Sequence, residues 1–407
     1  MASILHRAAT QVPYYKRQWS DRRRLGDKAS WEILENWPIL KKEDIRANPE
    51  AFIADDQSVK ALLADRTGGT TGTPLKVWLS RETNIMSYAI FEARTRRWHG
   101  VSRYEPWATM GGQLVIKAQA SHPPYWVKNY ALHQTYFSTN HISRHTAPVY
   151  LNTINQHKIT NIVAYTASIT YLAQQIHELG LLSPPTLKLV VTNAEGLNSW
   201  QRQIIEWGLN CRTCQTYGMV ELVACASEHP NTGADLLHIW PEMGIIEVFQ
   251  DEIDVPAKSG EVGRFICTGL LNPDMPLIRY EVGDRGSVKA VSSNTSEFAY
   301  PQISRIEGRQ TDMLISPEGH RVWYFNPLFS GLPIVEAQVV QEQINEVRIL
   351  YVPARDFHEN HKNLILKRLY DRMGKVNVQF EEVDKVPRES NGKFRLVVCK
   401  VILAKTD

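Results

Sequence analysis

Short buried-type runs set between helical stretches constrain this chain more than any other feature. Residues 161–165 (Asn-Ile-Val-Ala-Tyr) and 187–192 (Leu-Lys-Leu-Val-Val-Thr) read as buried strands, while residues 149–155 and 168–181 carry helical spacing. Apolar strands alternating with helices predict a mostly parallel sheet, so the central fold is α/β. Upstream, residues 1–60 read as helices and turns, with Pro13-Tyr14-Tyr15 and Trp37-Pro38-Ile39-Leu40 as apolar anchors of an N-terminal helical cap. From about Leu236 the texture changes to short strands at 238–240, Gly244–Phe249, 263–268 and 286–290, which is a β-rich subdomain. After Arg309 it changes again: strands at 336–341 and 346–352, a helix over Glu359–Met373, and a strand at 377–381. The predicted organisation is a large α/β domain over residues 1–311 with a parallel sheet and a β-rich subdomain, then a small α+β lid over 312–407.

Bulk properties exclude several function classes. With 407 residues, 43% hydrophobic and 22% charged, the chain is long enough to bury a large core and polar enough to be an ordinary globular protein. A formal charge of +3, with Lys and Arg interspersed among Asp and Glu, gives no nucleic-acid footprint; Arg22-Arg23-Arg24 reads as a solvated helix face. No apolar run approaches 18 residues and the N-terminus has no h-region, so no membrane insertion and a cytoplasmic location are expected. Five cysteines, an odd number spread thinly, argue against a disulfide framework.

Four local motifs carry chemistry. The first is Arg66-Thr67-Gly68-Gly69-Thr70-Thr71-Gly72-Thr73-Pro74-Leu75-Lys76, with three glycines, four threonines and a closing cation. Its glycines let backbone N–H groups close on a phosphate, its threonines add hydroxyl donors, and Lys76 adds charge. It is not a Walker A loop, since Thr73-Pro74 stands where Gly-Lys would be required. Taken alone, the same composition equally makes a flexible linker. It is expected between the strand-like run 75–79 and the helix over 80–99.

The second motif, Thr216-Tyr217-Gly218-Met219-Val220-Glu221, offers a ring to stack on a purine, a glycine for close approach, and a carboxylate for Mg²⁺. The third runs from Met275-Pro276-Leu277-Ile278-Arg279-Tyr280 to Gly283-Asp284-Arg285-Gly286, where Asp284 can accept from both hydroxyls of a ribose. The Arg305–Leu314 stretch, with its Gly308-Arg309 pair, then leads to the fourth motif, Val386-Pro387-Arg388-Glu389-Ser390-Asn391-Gly392-Lys393-Phe394-Arg395, a basic loop with a Gly-Lys tip.

In this order and at these separations, the motifs resemble the acyl-adenylate-forming superfamily, and within it the phenylacetate-CoA ligase-like family. The branch found in capsular-polysaccharide clusters is the most similar, through Asn193-Ala194-Glu195-Gly196, Tyr217–Glu221, Thr268-Gly269-Leu270, Met275–Tyr280 and the Gln338–Gln343 run. The resemblance covers nearly the whole chain, Arg66 to Arg395. It implies that Thr67, Gly68, Gly69, Thr70, Thr71, Gly72 and Lys76 hold ATP phosphates. Glu195 and Gly196 would line the adenine and acyl pockets, Tyr217 and Gly218 the purine, Asp284 the ribose, and Arg309 a second nucleotide contact. Glu221 would bind Mg²⁺, and Lys393, on a mobile lid, would support adenylation.

The implied reaction activates a small carboxylic acid as an acyl-AMP with release of pyrophosphate, then transfers the acyl group to a thiol of coenzyme A or a carrier protein. Alternative readings are transfer to an amine or sugar in envelope-polysaccharide or natural-product assembly, and a non-catalytic nucleotide-binding protein. Three departures qualify the match. Thr311 replaces the first of two acids after the Gly-Arg pair, leaving only Asp312; residues 292–300 lack the branch's frequent cysteine; and 111–141, with Trp126, His133 and His141, replaces the glycine-rich segment of phenylacetate ligases. Phenylacetate is therefore not assumed as the acid, for which residues 111–141, 165–168 and 193–196 would form the pocket. Cys211, Cys214, Cys225, His229 and His238 have ligand types that suit a structural zinc, but the favoured reading is of buried thiols and hydrogen-bonded histidines around the adenine pocket.

Overall fold

The computed structural model describes residues 1–66, 75–113, 115–117, 120–139, 141–289, 300–309, 313–317, 321–322, 325, 328–329, 331–388 and 395–401. The loop residues Thr67, Gly68, Gly69, Thr70, Thr71 and Gly72, together with Thr311, Asp312 and Lys393, lie outside them, as does the Arg309 side chain. The chain divides into two interleaved units: residues 1–100 with 216–306, and 101–215 with 307–407.

The first unit begins with helices Ala2–Gln11 and Pro13–Arg24, the second started by a proline whose missing N–H costs nothing at that position. Their apolar faces meet an aromatic core in which Tyr14 stacks on Phe52 at 4.2 Å while Tyr15 and Trp19 pack edge-on to Trp37. This cap is stitched to the third motif by backbone hydrogen bonds: Leu40 N–H to Arg279 O, Glu281 N–H to Leu40 O, and Ala54 N–H to Asp274 O. Strands Leu63–Arg66 and Lys76–Leu79 form an antiparallel hairpin. The glycine-threonine loop therefore connects two strands, rather than standing between a strand and a helix as its neighbours suggested. Helix Arg81–Phe91 follows, its first turn capped by the Ser80 hydroxyl, which accepts from Thr83 N–H.

The β-rich part of this unit orders its strands Gly244–Phe249, Gly263–Gly269, Tyr280–Lys289, Gln302–Arg309, Leu237–Ile239, Cys225–Ser227 and the end of Arg212–Gly218. The registers from Gly244–Phe249 to Tyr280–Lys289 and from Gln302–Arg309 to Arg212–Gly218 are antiparallel.

The second unit contains the parallel sheet. Strands Arg212–Gly218, Leu189–Asn193, Asn161–Tyr165, Trp107–Met110 and Gln134–Phe137 run parallel in that order, with Trp126–Asn129 antiparallel at the edge. Helices Ala147–Gln156, Thr166–Glu178 and Ser199–Leu209 supply the crossovers, and their buried aliphatics join those of the strands in one core. The C-terminal part forms a four-stranded sheet in the order Asn377–Glu382, Glu346–Pro353, Ile334–Gln343, Val397–Cys399. Helix Glu359–Met373 buries Ile365, Leu369 and Met373 in a core with Val339, Val347 and Ile349. The α/β reading, with a parallel sheet, a β-rich part and a small α+β C-terminal part, matches the structure. Among the described residues no helix is long and apolar enough to cross a membrane.

Candidate functional site

Strand Arg212–Gly218 ends at the second motif, and its last three residues pair with Cys225–Ser227 across a tight connection. Gly218 is squeezed there, since a Cβ would lie 3.1 Å from the Cys225 sulfur. Tyr217 donates its hydroxyl to Asp284 Oδ2 at 2.8 Å, so two of the residues assigned to the nucleotide meet although 67 positions separate them. Burial, reinforced by the Asp284 charge, pushes the Tyr217 hydroxyl well above its ordinary pKa and keeps it a donor. Its ring stands edge-on to Phe265 at 6.0 Å.

After Gly218 the chain turns back through Leu222, held at φ 53°, and Leu222 N–H bonds Met219 O. That turn tucks Glu221 inward until its residue is only 7% exposed. Glu221 Oε1 accepts from the Tyr280 hydroxyl at 3.1 Å and lies 3.8 Å from the Lys42 ammonium. Burial first, and then the Glu221 charge, raises the Tyr280 pKa, so this hydroxyl is also a permanent donor. Lys42 and Tyr280 received no role from sequence reasoning. Lys42 belongs to a run of charged residues at a helix start and lies 179 positions from Glu221; nothing local marks it.

Glu221 offers a single carboxylate, which is the protein contribution that magnesium takes where it keeps most of its water and binds substrate phosphates. Among the described residues no group of three or more His, Cys, Asp or Glu side chains is placed to form an all-protein metal cage. Lys76, at the exit of the glycine-threonine loop, rests its ammonium 4.5 Å from the centre of the Trp78 ring.

In the other unit, four parallel strands end at one edge, where open α/β sheets present their ligand crevice. Asn161–Tyr165 delivers Tyr165, Leu189–Asn193 delivers Asn193, Trp107–Met110 leads to Gly111, and Gln134–Phe137 leads to Ser138. Ala194 turns the chain there with φ 65°. Glu195 then reaches back: its Oε2 accepts from Ala167 N–H at 2.7 Å, while its carbonyl accepts from the Thr166 hydroxyl. Its carboxylate thus sits on the first turn of helix Thr166–Glu178, where the helix dipole favours negative charge. Gly196 has open space where a Cβ would go.

Of the three histidines in the 111–141 segment, His133 and His141 separate. His141 follows the carboxyl end of its strand, with Nδ1 2.8 Å from the Ser138 hydroxyl and its ring stacked on Tyr125. His133 occupies, at φ 50°, the turn before that strand, at the opposite edge.

Among the described residues, Cys211, Cys214, Cys225, His229 and His238 do not come together as a group of three or more that could hold a metal, and the two histidines have hydrogen-bond partners. Asn231 N–H donates to His229 Nδ1, His238 Nε2 is 3.1 Å from the Thr232 hydroxyl, and the two rings are 6.0 Å apart beside Trp98. Burial pushes the Cys211 and Cys225 thiols each to about 12, so both are neutral thiols at ordinary pH.

Residues 314–400 match the CapK C-terminal domain family. The chain is 26% identical over 389 residues to Protein CapK of Staphylococcus aureus, an alignment covering 92% of this chain and 82% of that one. It is 29% identical over 152 residues to phenylacetate-coenzyme A ligase of Thermus thermophilus, covering 35% and 33% of the two. Among solved structures, 2-hydroxyisobutyryl-CoA ligase in the postadenylation state, in complex with R3-HIB-AMP, shares the fold with a TM-score of 0.72 at 17% identity, covering 98% of this chain and 88% of that one. Residues 314–400 thus match the CapK C-terminal domain, the chain is similar along most of its length to Protein CapK and over about a third of it to phenylacetate-coenzyme A ligase, and its fold is that of 2-hydroxyisobutyryl-CoA ligase.

Proposed function

We propose that the protein is an AMP-forming acid ligase: it activates a small carboxylic acid with ATP, releases pyrophosphate, and passes the acyl group from acyl-AMP to a thiol. The observation that carries this reading is the presence in one unit of two hydrogen-bonded pairs, Tyr217 with Asp284 at 2.8 Å and Tyr280 with Glu221 at 3.1 Å. A ring, a ribose acceptor and a metal carboxylate are what a bound nucleotide triphosphate needs on one side. The kinship with phenylacetate-coenzyme A ligase supports the same chemistry.

In this reading Tyr217 stacks on adenine and its hydroxyl orients Asp284 toward the ribose. The glycine-threonine loop from Thr67 to Thr73 wraps the terminal phosphates. Glu221 would hold magnesium, which when bound offsets negative charge on those phosphates; Tyr280 and Lys42 orient and neutralise Glu221. The acid enters at the strand edge formed by Tyr165, Asn193 and Gly111, with Glu195 shaping the wall. Its carboxylate attacks the α-phosphorus, the bond from that phosphorus to the bridging oxygen breaks, and pyrophosphate leaves with the electron pair. Lys393 meets the growing charge, a fixed cation worth on the order of 10²–10³ in rate. Residues 1–311 would then form the adenylating domain, and residues 312–407 a lid that moves to admit the thiol.

The test is pyrophosphate release from MgATP over a panel of aryl, fatty, hydroxy and amino acids, with and without coenzyme A. Release stimulated by one acid class is the expected result. Loss of the free acid only when coenzyme A is present would identify the thiol acceptor, and amide formation with an added amine would identify the other. Silence over the panel, with ATP binding seen by calorimetry, would overturn the ligase reading in favour of nucleotide binding without turnover.

A further inference from the structure

One motif of the sequence has no part in the site described so far: the glutamine run on the strand Ile334–Gln343. This strand buries three polar side chains among aliphatic neighbours, Glu336, Gln338 and Gln341, at 6, 7 and 0% exposure. Buried without partners, each would be destabilising, the charged Glu336 most of all. Each instead grips the main chain of a neighbouring segment. Glu336 Oε2 accepts from Val386 N–H at 3.1 Å, and its other oxygen accepts from the Arg388 guanidinium. Gln338 donates from Nε2 to Arg395 O at 2.8 Å. Gln341, on the opposite face by strand alternation, accepts from Ile315 N–H at 2.8 Å and donates to Ile315 O at 2.7 Å.

The pattern is specific in what it holds. Glu336 and Gln338 stand two residues apart on one face, about 7 Å along the strand. One grips the segment just before residues 389–394 and the other the residue just after, and those six residues include Lys393. Both anchors are rooted in a strand that pairs with Glu346–Pro353 on one side and Val397–Cys399 on the other, so the stems are fixed to the sheet and not to solvent-exposed chain. Gln341 fixes Ile315 in the same way, three residues beyond Asp312. A side chain that must place one ammonium within a few tenths of an ångström of developing charge needs such an anchored frame.

Resting on the role assigned to Lys393 above, we propose that Glu336 and Gln338 are positioning residues for it. They clamp the two stems of the lysine loop to one strand and so set the reach of the ammonium during adenylation. Gln341 ties the segment after the 310–312 stretch to the same strand, giving the loop and that segment a common frame.

Two measurements test this on the full-length protein. Gln338→Met keeps the volume and removes the amide, and Glu336→Gln keeps the shape and removes the charge. Limited trypsin digestion should cut at Arg388, Lys393 or Arg395 at least about fivefold faster in Gln338→Met than in the wild type, with the melting temperature lowered by no more than a few degrees. With the acid that gives the fastest pyrophosphate release, the turnover number should fall about tenfold while the KM for ATP stays unchanged. Because the effect is exerted through Lys393, neither substitution should lower turnover further in a Lys393→Ala background. Wild-type cleavage rates in both variants would overturn the clamp. An undiminished fold-loss in the Lys393→Ala background would show a general structural role and overturn the positioning claim. Full activity of Lys393→Ala alone would sink the underlying reading of that lysine, whatever the cleavage rates.

Discussion

Tyr217 and Asp284 share one hydrogen bond, yet the nucleotide would use them differently, and substitutions should separate their roles from that of Lys393. Asp284→Ala removes a charged acceptor and is expected to weaken ATP binding about tenfold or more, consistent with the roughly 1.5–3 kcal/mol of a charged hydrogen bond. Lys393→Ala should leave ATP affinity nearly unchanged and cut adenylation by about 10². Calorimetry with ATP beside single-turnover pyrophosphate release checks both; equal loss of binding and turnover at Lys393 would remove it from the transition state. Gly196 offers a different probe, because a Cβ there meets no atom within 4 Å of the protein. Gly196→Ala should leave the unfolding free energy within about 0.5–1 kcal/mol of wild type. If ligand fills that space, the same methyl should raise the KM for ATP or acid several-fold, and an unchanged KM would take Gly196 out of the pocket. At this scale the sequence was informative about residue types but silent about partners. Tyr217, Glu221 and Asp284 could be named from their motifs, whereas Lys42 and Tyr280 acquire meaning only when folding brings them to Glu221.

Elements were legible in proportion to their length and periodicity. Helix Glu359–Met373 and strand Gly244–Phe249 have the bounds their patterns predict, because a fifteen-residue amphipathic run and a clean turn-bounded strand leave little choice. Strands Trp107–Met110, Trp126–Asn129 and Gln134–Phe137 were hidden inside or beside a segment read only as pocket wall. Four residues are too few to show a period, and two of these strands depend on partners far along the chain, as Trp107 does on Asn161. The hairpin of Leu63–Arg66 with Lys76–Leu79 was missed for a related reason: its first strand, Leu-Ala-Asp-Arg, is exposed throughout and has no apolar face to betray it. Strand Tyr280–Lys289 contains the glycine that most limits its element. A Cβ at Gly286 would stand 2.2 Å from Arg305 O and 2.6 Å from a Phe265 ring carbon. Gly286→Ala should therefore destabilise the protein by about 3 kcal/mol, measured by urea unfolding, since the neighbouring strand and ring have to shift. A loss below about 0.5 kcal/mol would show that those strands yield freely.

For the whole molecule, acidity should act through buried imidazoles. Burial, and secondarily His229 nearby, holds His238 below its ordinary value of 6.5. The folded state thus binds this proton less readily than the unfolded chain does. The stability contributed by the neutral ring is complete above about 6.5 and is lost as the pH falls through the depressed value. The urea midpoint should drop between about pH 7.5 and about pH 5.5, and His238→Gln should show a shallower drop; parallel curves would rule the imidazole out as a source. The interleaving of the two units has a consequence for how the protein is made. Residues 1–100 contribute Leu5, Trp37 and Phe52 to a core whose other members include Phe265, Leu277 and Tyr280. A ribosome adding about 5–20 residues per second needs roughly 10–40 s to travel from residue 100 to residue 306. For that interval the nascent N-terminal helices have Trp37 and Phe52 to pack on but lack the part of their core that Phe265, Leu277 and Tyr280 supply, so newly made chains are expected to engage chaperones until the last strands of the first unit emerge.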